Sequence, residues 1–229
     1  MTRFGQAGCL AMTILALSHG PGRADEDAKA GWRGDFVARL EALALLQSLN
    51  ADLLSHDSAT LTLDRWCAAH GLASPARIVA ERIGDDKPAT EEVRHQLRVD
   101  PSEPVRYRHV RLRCGTHVLS EADNWYVPAR LTPEMNHQLD MTDIAFGRAV
   151  QALRFQRHTL SAKLLWSPLP DGWEVAPEAQ VPPGEAPLTP PAQVIEHRAV
   201  LRLPDGTPFS EVVETYTGAV LAFPEPRRP

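Results

Sequence analysis

Residues 193–223 read QVIEHRAVLRLPDGTPFSEVVETYTGAVLAF. Two runs rich in valine, leucine, threonine and aromatic residues flank Pro204-Asp205-Gly206, where proline presets one backbone dihedral and glycine tolerates a positive one. The stretch therefore reads as an antiparallel hairpin. Its second arm holds Glu211 and Glu214 three residues apart. Side chains on a strand alternate faces, so these two carboxylates point oppositely. The expectation is that one is chemical and the other solvated.

Upstream, EPVRYRHVRLRCGTHVLSEADNWYVP (103–128) supplies a second hairpin: alternation from Val105 to Arg113, a turn near Gly115, then extended chain through Tyr126 to Pro128. Arg106, Arg108, Val110 and Leu112 share one face of the first arm. If the apolar pair marks the interior, Arg108 points inward, where the fixed fork of a guanidinium suits a carboxylate. Arg111 and Arg113, on the other face, read either as edge-strand decoration or as partners of nearby acids.

Helices account for most of the rest. Phe36 to Leu49 has apolar residues at helical spacing, with Asp35 as a cap. SHDSATLTLDRWCAAHGL (55–72) reads as a loop followed by a helix, capped at Asp57 or Ser58 and stopped at Gly71. Thr132-Pro133-Glu134 opens a further helix, and Thr142 or Asp143 is expected to cap another in TDIAFGRAVQAL. FQRHTLSAKLLW (155–166) is expected to be extended for part of its length. Eight prolines fall within residues 168–191, a density that excludes regular helix or central strand and marks a surface loop. The order of helices, hairpins, helices and closing hairpin indicates an α+β fold on an antiparallel sheet.

Composition bounds the function. The 229 residues carry 24 basic and 29 acidic side chains, a net charge of −5 that excludes a nucleic-acid or anionic-membrane binder working by bulk charge. Residues 1–24, with an early arginine, a short apolar stretch and helix breakers before Ala24, read as a secretory signal too short for a membrane span. Residues 25–229 then form one domain, periplasmic or secreted, or cytoplasmic if the N-terminus is retained. Phosphate-loop, dinucleotide and serine-hydrolase motifs are absent, so no cofactor is expected. Cys67 and His70 lie one helical turn apart but lack a second ligand pair, so no metal is expected. His56-Asp57-Ser58 reads as capping rather than a triad, whose members usually come from separate elements. Cys67 and Cys114 could pair in an oxidising compartment; two separate buried thiols is the preferred reading.

Five segments in order, LLSHDSAT (53–60), RYRHVRLRCG (106–115), YVP (126–128), TDIAFGRAV (142–150) and GTPFSEVVET (206–215), give the chain a resemblance to chorismate pyruvate-lyase and to the ligand-sensing UTRA domains that share its fold. The resemblance implies a sheet of about six antiparallel strands backed by helices, with a buried site needing neither metal nor cofactor. It implies Arg108 as the substrate-carboxylate ligand, with Arg106 and Arg111 as alternates. It places Phe146 and Gly147 in a backbone contact, Ser58 and Thr60 at a lid, and Glu214 as the essential acid. Ala145 stands where the family has proline, and Ala59 where the enzyme has methionine. One extra residue between Gly206 and Glu214 requires a bulge, or else leaves Glu211 as the acid. Two functions stay open: a lyase that eliminates pyruvate from chorismate to give 4-hydroxybenzoate, and a non-catalytic exported protein binding a small aromatic or carboxylic acid. The expected partner is that small ligand, on a monomer or weak dimer.

Overall fold

A computed structural model of the protein describes Met1 and residues 31–84, 86–175 and 186–226. The signal reading of residues 1–24 falls outside these, Met1 apart, as do residues 176–185 of the proline-rich loop. No described helix is long and apolar enough to cross a membrane.

The chain opens with α1 (Phe36–Ser55), whose Asp35 cap accepts from the Ala38 amide at 2.9 Å. Ala42, Leu46, Leu49 and Leu53 form its buried stripe, the three-and-four spacing of one helix face. Ser58 caps α2 (Ala59–Ala69), which buries Leu63, Trp66 and Cys67. Strand β1 (Ile78–Arg82) follows, then α3 (Glu91–Leu97) with Thr90 as its cap. Neither β1 nor α3 was anticipated from sequence. The first hairpin is β2 (Arg106–Cys114) and β3 (His117–Tyr126). Helix α4 (Pro133–Met141) has Thr132 as its cap and proline in its first turn, as expected.

The next helix departs from expectation. It is a single turn, α5 (Phe146–Ala149), with no side-chain cap. Thr142 instead closes α4, its hydroxyl donating to the Gln138 carbonyl at 2.7 Å. Strand β4 (Gln156–Leu164) and the closing hairpin β5 (Gln193–Arg202) and β6 (Pro208–Thr217) complete the sheet. In the described part of the proline-rich loop, Leu188 forms an isolated bridge with Trp32.

The fold is α+β: the described residues form six antiparallel strands in the order β1-β2-β3-β6-β5-β4. Because β1 pairs with β2, the arginine-rich strand is interior, not the edge that its charges suggested. Those charges are met by acids: Arg106 by Asp140, Arg111 by Glu121 and Arg113 by Glu81.

The bulge that the extra residue requires is present. Leu201 pairs with Ser210 and Arg202 with Pro208, so Phe209 is the unpaired residue on β6. Its ring turns inward against Phe146 and Phe155. The main core lies between one sheet face and α1 with α2, while α3 covers part of the other face over Trp125 and Val127. Cys67 of α2 and Cys114, the last residue of β2, form a disulfide, correcting the separate-thiol reading. Both are fully buried, and the strand end carries Cys114 beneath α2.

Candidate ligand-binding site

Antiparallel register brings the key polar side chains onto one sheet face. Arg108 of β2 lies opposite Asn124 of β3, Asn124 opposite Val212 of β6, and Glu214 two residues further along β6 opposite His197 of β5. Over this face sit the first turns of α2 and α5. The hollow, taken together with the solvent-open space at its mouth, is about 490 Å³. Its walls include the apolar Val110, Leu112, Phe146, Phe155, Leu201 and Val212, together with Ser58, Thr60, Arg108, Asn124, Arg157 and Glu214.

Arg108 is 3% exposed. One of its nitrogens, Nη2, donates to the Ile144 carbonyl at 3.3 Å, while Nε has no partner. Burial, and after it the charge of Arg82, push its pKa below the ordinary guanidinium value. A cation held this way gains by meeting an anion. Directly across the strand pair, Asn124 accepts from the Ser210 hydroxyl at 2.5 Å through Oδ1 and leaves Nδ2 without a partner. Two unpaired, buried N–H donors thus stand side by side in the cavity wall, and leaving such groups unsatisfied is costly.

Glu214 is engaged rather than free. Its Oε2 accepts from Arg157 Nη2 at 2.6 Å and from the Tyr216 hydroxyl at 3.2 Å. Burial, the largest influence, would lower the Arg157 pKa, but the Glu214 charge, the Tyr216 phenol and the hydrogen bond to Glu214 together outweigh it and hold the guanidinium above its ordinary value. Burial, then the Glu214 charge, push the Tyr216 phenol well above its usual value, so it remains a donor. Behind the pair, fully buried His197 donates from Nε2 to Asn50 Oδ1 at 2.8 Å. Burial lowers its pKa, which keeps the ring neutral at pH 7.

The roof depends on one glycine. A Cβ on Gly147 would lie 2.6 Å from Ser58 Oγ and 3.1 Å from Thr60 Oγ1, so a larger residue here would displace these two hydroxyls or α5 itself. At the mouth, Asp57 Oδ1 accepts from the Arg157 backbone N–H at 2.8 Å and ties the loop before α2 to the start of β4.

Of the residues singled out from sequence, Arg108, Phe146, Gly147, Ser58, Thr60 and Glu214 line this cavity. Glu211, Arg106 and Arg111 do not. Arg106 is half-exposed beside Asp140, and Arg111 lies on the other sheet face. Glu211 is on that face too, but it is fully buried, not solvated as expected. Its Oε1 accepts from Arg198 at 2.7 Å and its Oε2 has no partner. Burial raises the Glu211 pKa, against the lowering effect of Arg198. No described group of three or more His, Cys, Asp or Glu could hold a metal ion. Sequence reasoning missed Asn124 and Arg157. Alternation along β3 could have put Asn124 on the face of Ala122, whereas along β4 it groups Arg157 with Thr159, Ser161 and Lys163, opposite Leu160, Ala162 and Leu164, and so aimed Arg157 away from the interior.

No protein-family model matches the chain. The uncharacterized protein y4mC of Sinorhizobium fredii (strain NBRC 101917 / NGR234) is 59% identical over 204 residues, covering 88% of this chain and 86% of that one. Among solved structures, PhnF from Mycobacterium smegmatis matches 76% of this chain and 70% of its own at 15% identity, with a TM-score of 0.45. A GntR-family transcriptional regulator from Enterococcus faecalis V583 matches 66% of this chain and 99% of its own at 11% identity, with a TM-score of 0.39. The Bacillus subtilis chain described as "possible transcriptional regulator YydK" matches 66% of this chain and 62% of its own, under two thirds of its length, at 16% identity and a TM-score of 0.38. At this level of similarity the three structures bear on neither ligand nor activity.

Proposed function

We propose that this chain, which belongs to the family of the Sinorhizobium fredii protein y4mC, binds a small organic carboxylate with an apolar body in the cavity beneath α2 and α5. The observation that carries this reading is the pair of unpartnered donors, Arg108 Nε and Asn124 Nδ2, on directly opposed residues of β2 and β3. A carboxylate has two oxygens and a charge, and would satisfy both donors while neutralising the one cavity guanidinium that lacks a carboxylate. The apolar walls, with Phe146 and Phe155 among them, suit an aromatic or alicyclic body.

The test is calorimetric titration of the purified protein with benzoate and 4-hydroxybenzoate. Binding is expected, and Arg108→Leu should weaken it by about 2–5 kcal/mol, on the order of thirty-fold or more. Unchanged affinity in that variant, with its fold intact by circular dichroism, would remove Arg108 as the anchor.

A second reading, elimination of pyruvate from chorismate, is favoured by the meeting in one cavity of the residues that the lyase resemblance implies, Arg108 and Glu214 foremost. In that reaction the ether bond to the enolpyruvyl group breaks, the ring loses a hydrogen and becomes aromatic, and the departing group carries that proton away as pyruvate. Against Glu214 as the proton donor, its Oε2 already accepts two hydrogen bonds and has none to give. Incubation with chorismate discriminates: 4-hydroxybenzoate and pyruvate in equal amounts support the lyase, and binding without turnover supports the carboxylate-binding protein.

A further inference from the structure

Resting on the carboxylate-binding reading above, we propose that Arg157 is the specificity-determining residue of the cavity. It restricts the ligand to a monocarboxylate whose far end carries an uncharged hydroxyl, received by Glu214.

Arg157 reaches the cavity from β4, the edge of the sheet, and meets Glu214 two strands away across β5. The two side chains are 4% and 8% exposed, so the pair is out of water. Its consequence is a count of charges. The buried cavity wall holds two guanidiniums, Arg108 and Arg157, and one carboxylate, Glu214. One positive charge is left over, at Arg108. A ligand with one negative charge makes the site neutral, whereas a dianion places an unmatched charge in a water-excluded wall, which is strongly disfavoured.

The second consequence concerns hydrogen bonding. Arg157 Nη2 and the Tyr216 hydroxyl both donate to Oε2 of Glu214. The other oxygen, Oε1, remains an acceptor, and a carboxylate acceptor pairs well with a neutral hydroxyl and poorly with a second carboxylate. The other ionisable residue of the wall, Asp57, is exposed at the mouth and takes the Arg157 backbone N–H. It guards the entrance against a second anionic group rather than compensating one. Without Arg157, Glu214 and Arg108 would cancel, the cavity would carry no net charge, and the anion would lose its electrostatic reward.

Three probes test this on the intact protein by calorimetry: benzoate, 4-hydroxybenzoate and terephthalate, the last a dianion of similar shape. Wild type should bind 4-hydroxybenzoate about ten-fold or more tighter than benzoate, as expected for a hydrogen bond to a charged group, and terephthalate more weakly than either. In Arg157→Gln the advantage of the hydroxyl should fall to about three-fold or less. The wild-type ranking stands even if that variant fails to fold. Terephthalate binding as tightly as benzoate, or a hydroxyl preference unchanged in a folded Arg157→Gln, overturns the inference while leaving carboxylate binding intact. Failure of all three probes to bind overturns the carboxylate reading, and the inference with it.

Discussion

Glu211 and Glu214 differ by three positions, yet their burdens differ entirely. Both are buried against an arginine, Glu214 in the cavity wall with Arg157 and Glu211 beneath α3 with Arg198. Strand alternation was enough to separate the faces, but it could not show that the second face is covered as well. The Glu211 carboxyl is the one that folding strains: it is fully buried with one oxygen unpaired, and burial raises its pKa above the ordinary 4.5. The unfolded chain then ionises this group at lower pH than the folded protein does. Its contribution to stability is greatest below about pH 4.5 and is lost as pH rises through the folded value. The effect of Glu211→Gln on the unfolding midpoint should therefore be more favourable at pH 7 than at pH 4.5, while ligand affinity stays within about two-fold. A difference that does not change with pH would show that Glu211 carries the same charge in the folded and unfolded protein.

Among the elements, α2 carries the greatest responsibility. Its first turn brings Ser58 and Thr60 over the cavity, and its last turn is tied by the Cys67–Cys114 disulfide to the strand that bears Arg108. The bridged cysteines are 47 residues apart; closing a loop of that size restricts the unfolded chain by about 4 kcal/mol in the chain-entropy treatment. Cys67→Ser with Cys114→Ser should lower the unfolding midpoint by several degrees and weaken ligand binding, since the roof is then held by packing alone. Unaltered stability under reducing conditions would show that α2 is fixed without the bridge. Both hairpins and helices α1, α2 and α4 were legible from period, caps and turns. Strand β1, five residues long, and α3, seven residues long, were not. Segments this short complete too few repeats of either period to stand out. Helix α5 misled because Thr142 and Asp143 look like caps, while α4 takes Thr142 for its own end.

For the molecule as a whole, the sheet order decides the site. Placing β6 next to β3 and β4 at the far edge is what lets Arg108, Asn124, Glu214 and Arg157 converge from four strands. A buried disulfide suits an oxidising compartment, and on that ground, with the leader-like sequence of residues 1–24, we propose that the protein is exported. Mass spectrometry of protein from the exported fraction should find a chain beginning at Asp25 with no free thiol; a retained Met1 would remove export. Local information in the sequence determined the α+β class, both hairpins, the opposed faces of Glu211 and Glu214 and the inward aim of Arg108. Each of these follows from a dihedral preference or a period of a few residues. Only the tertiary structure decided that β2 is interior, that Cys67 meets Cys114, that Glu211 is covered and that Arg157 holds Glu214. These depend on which strands become neighbours, a choice made by the burial of whole faces rather than by any short stretch of chain.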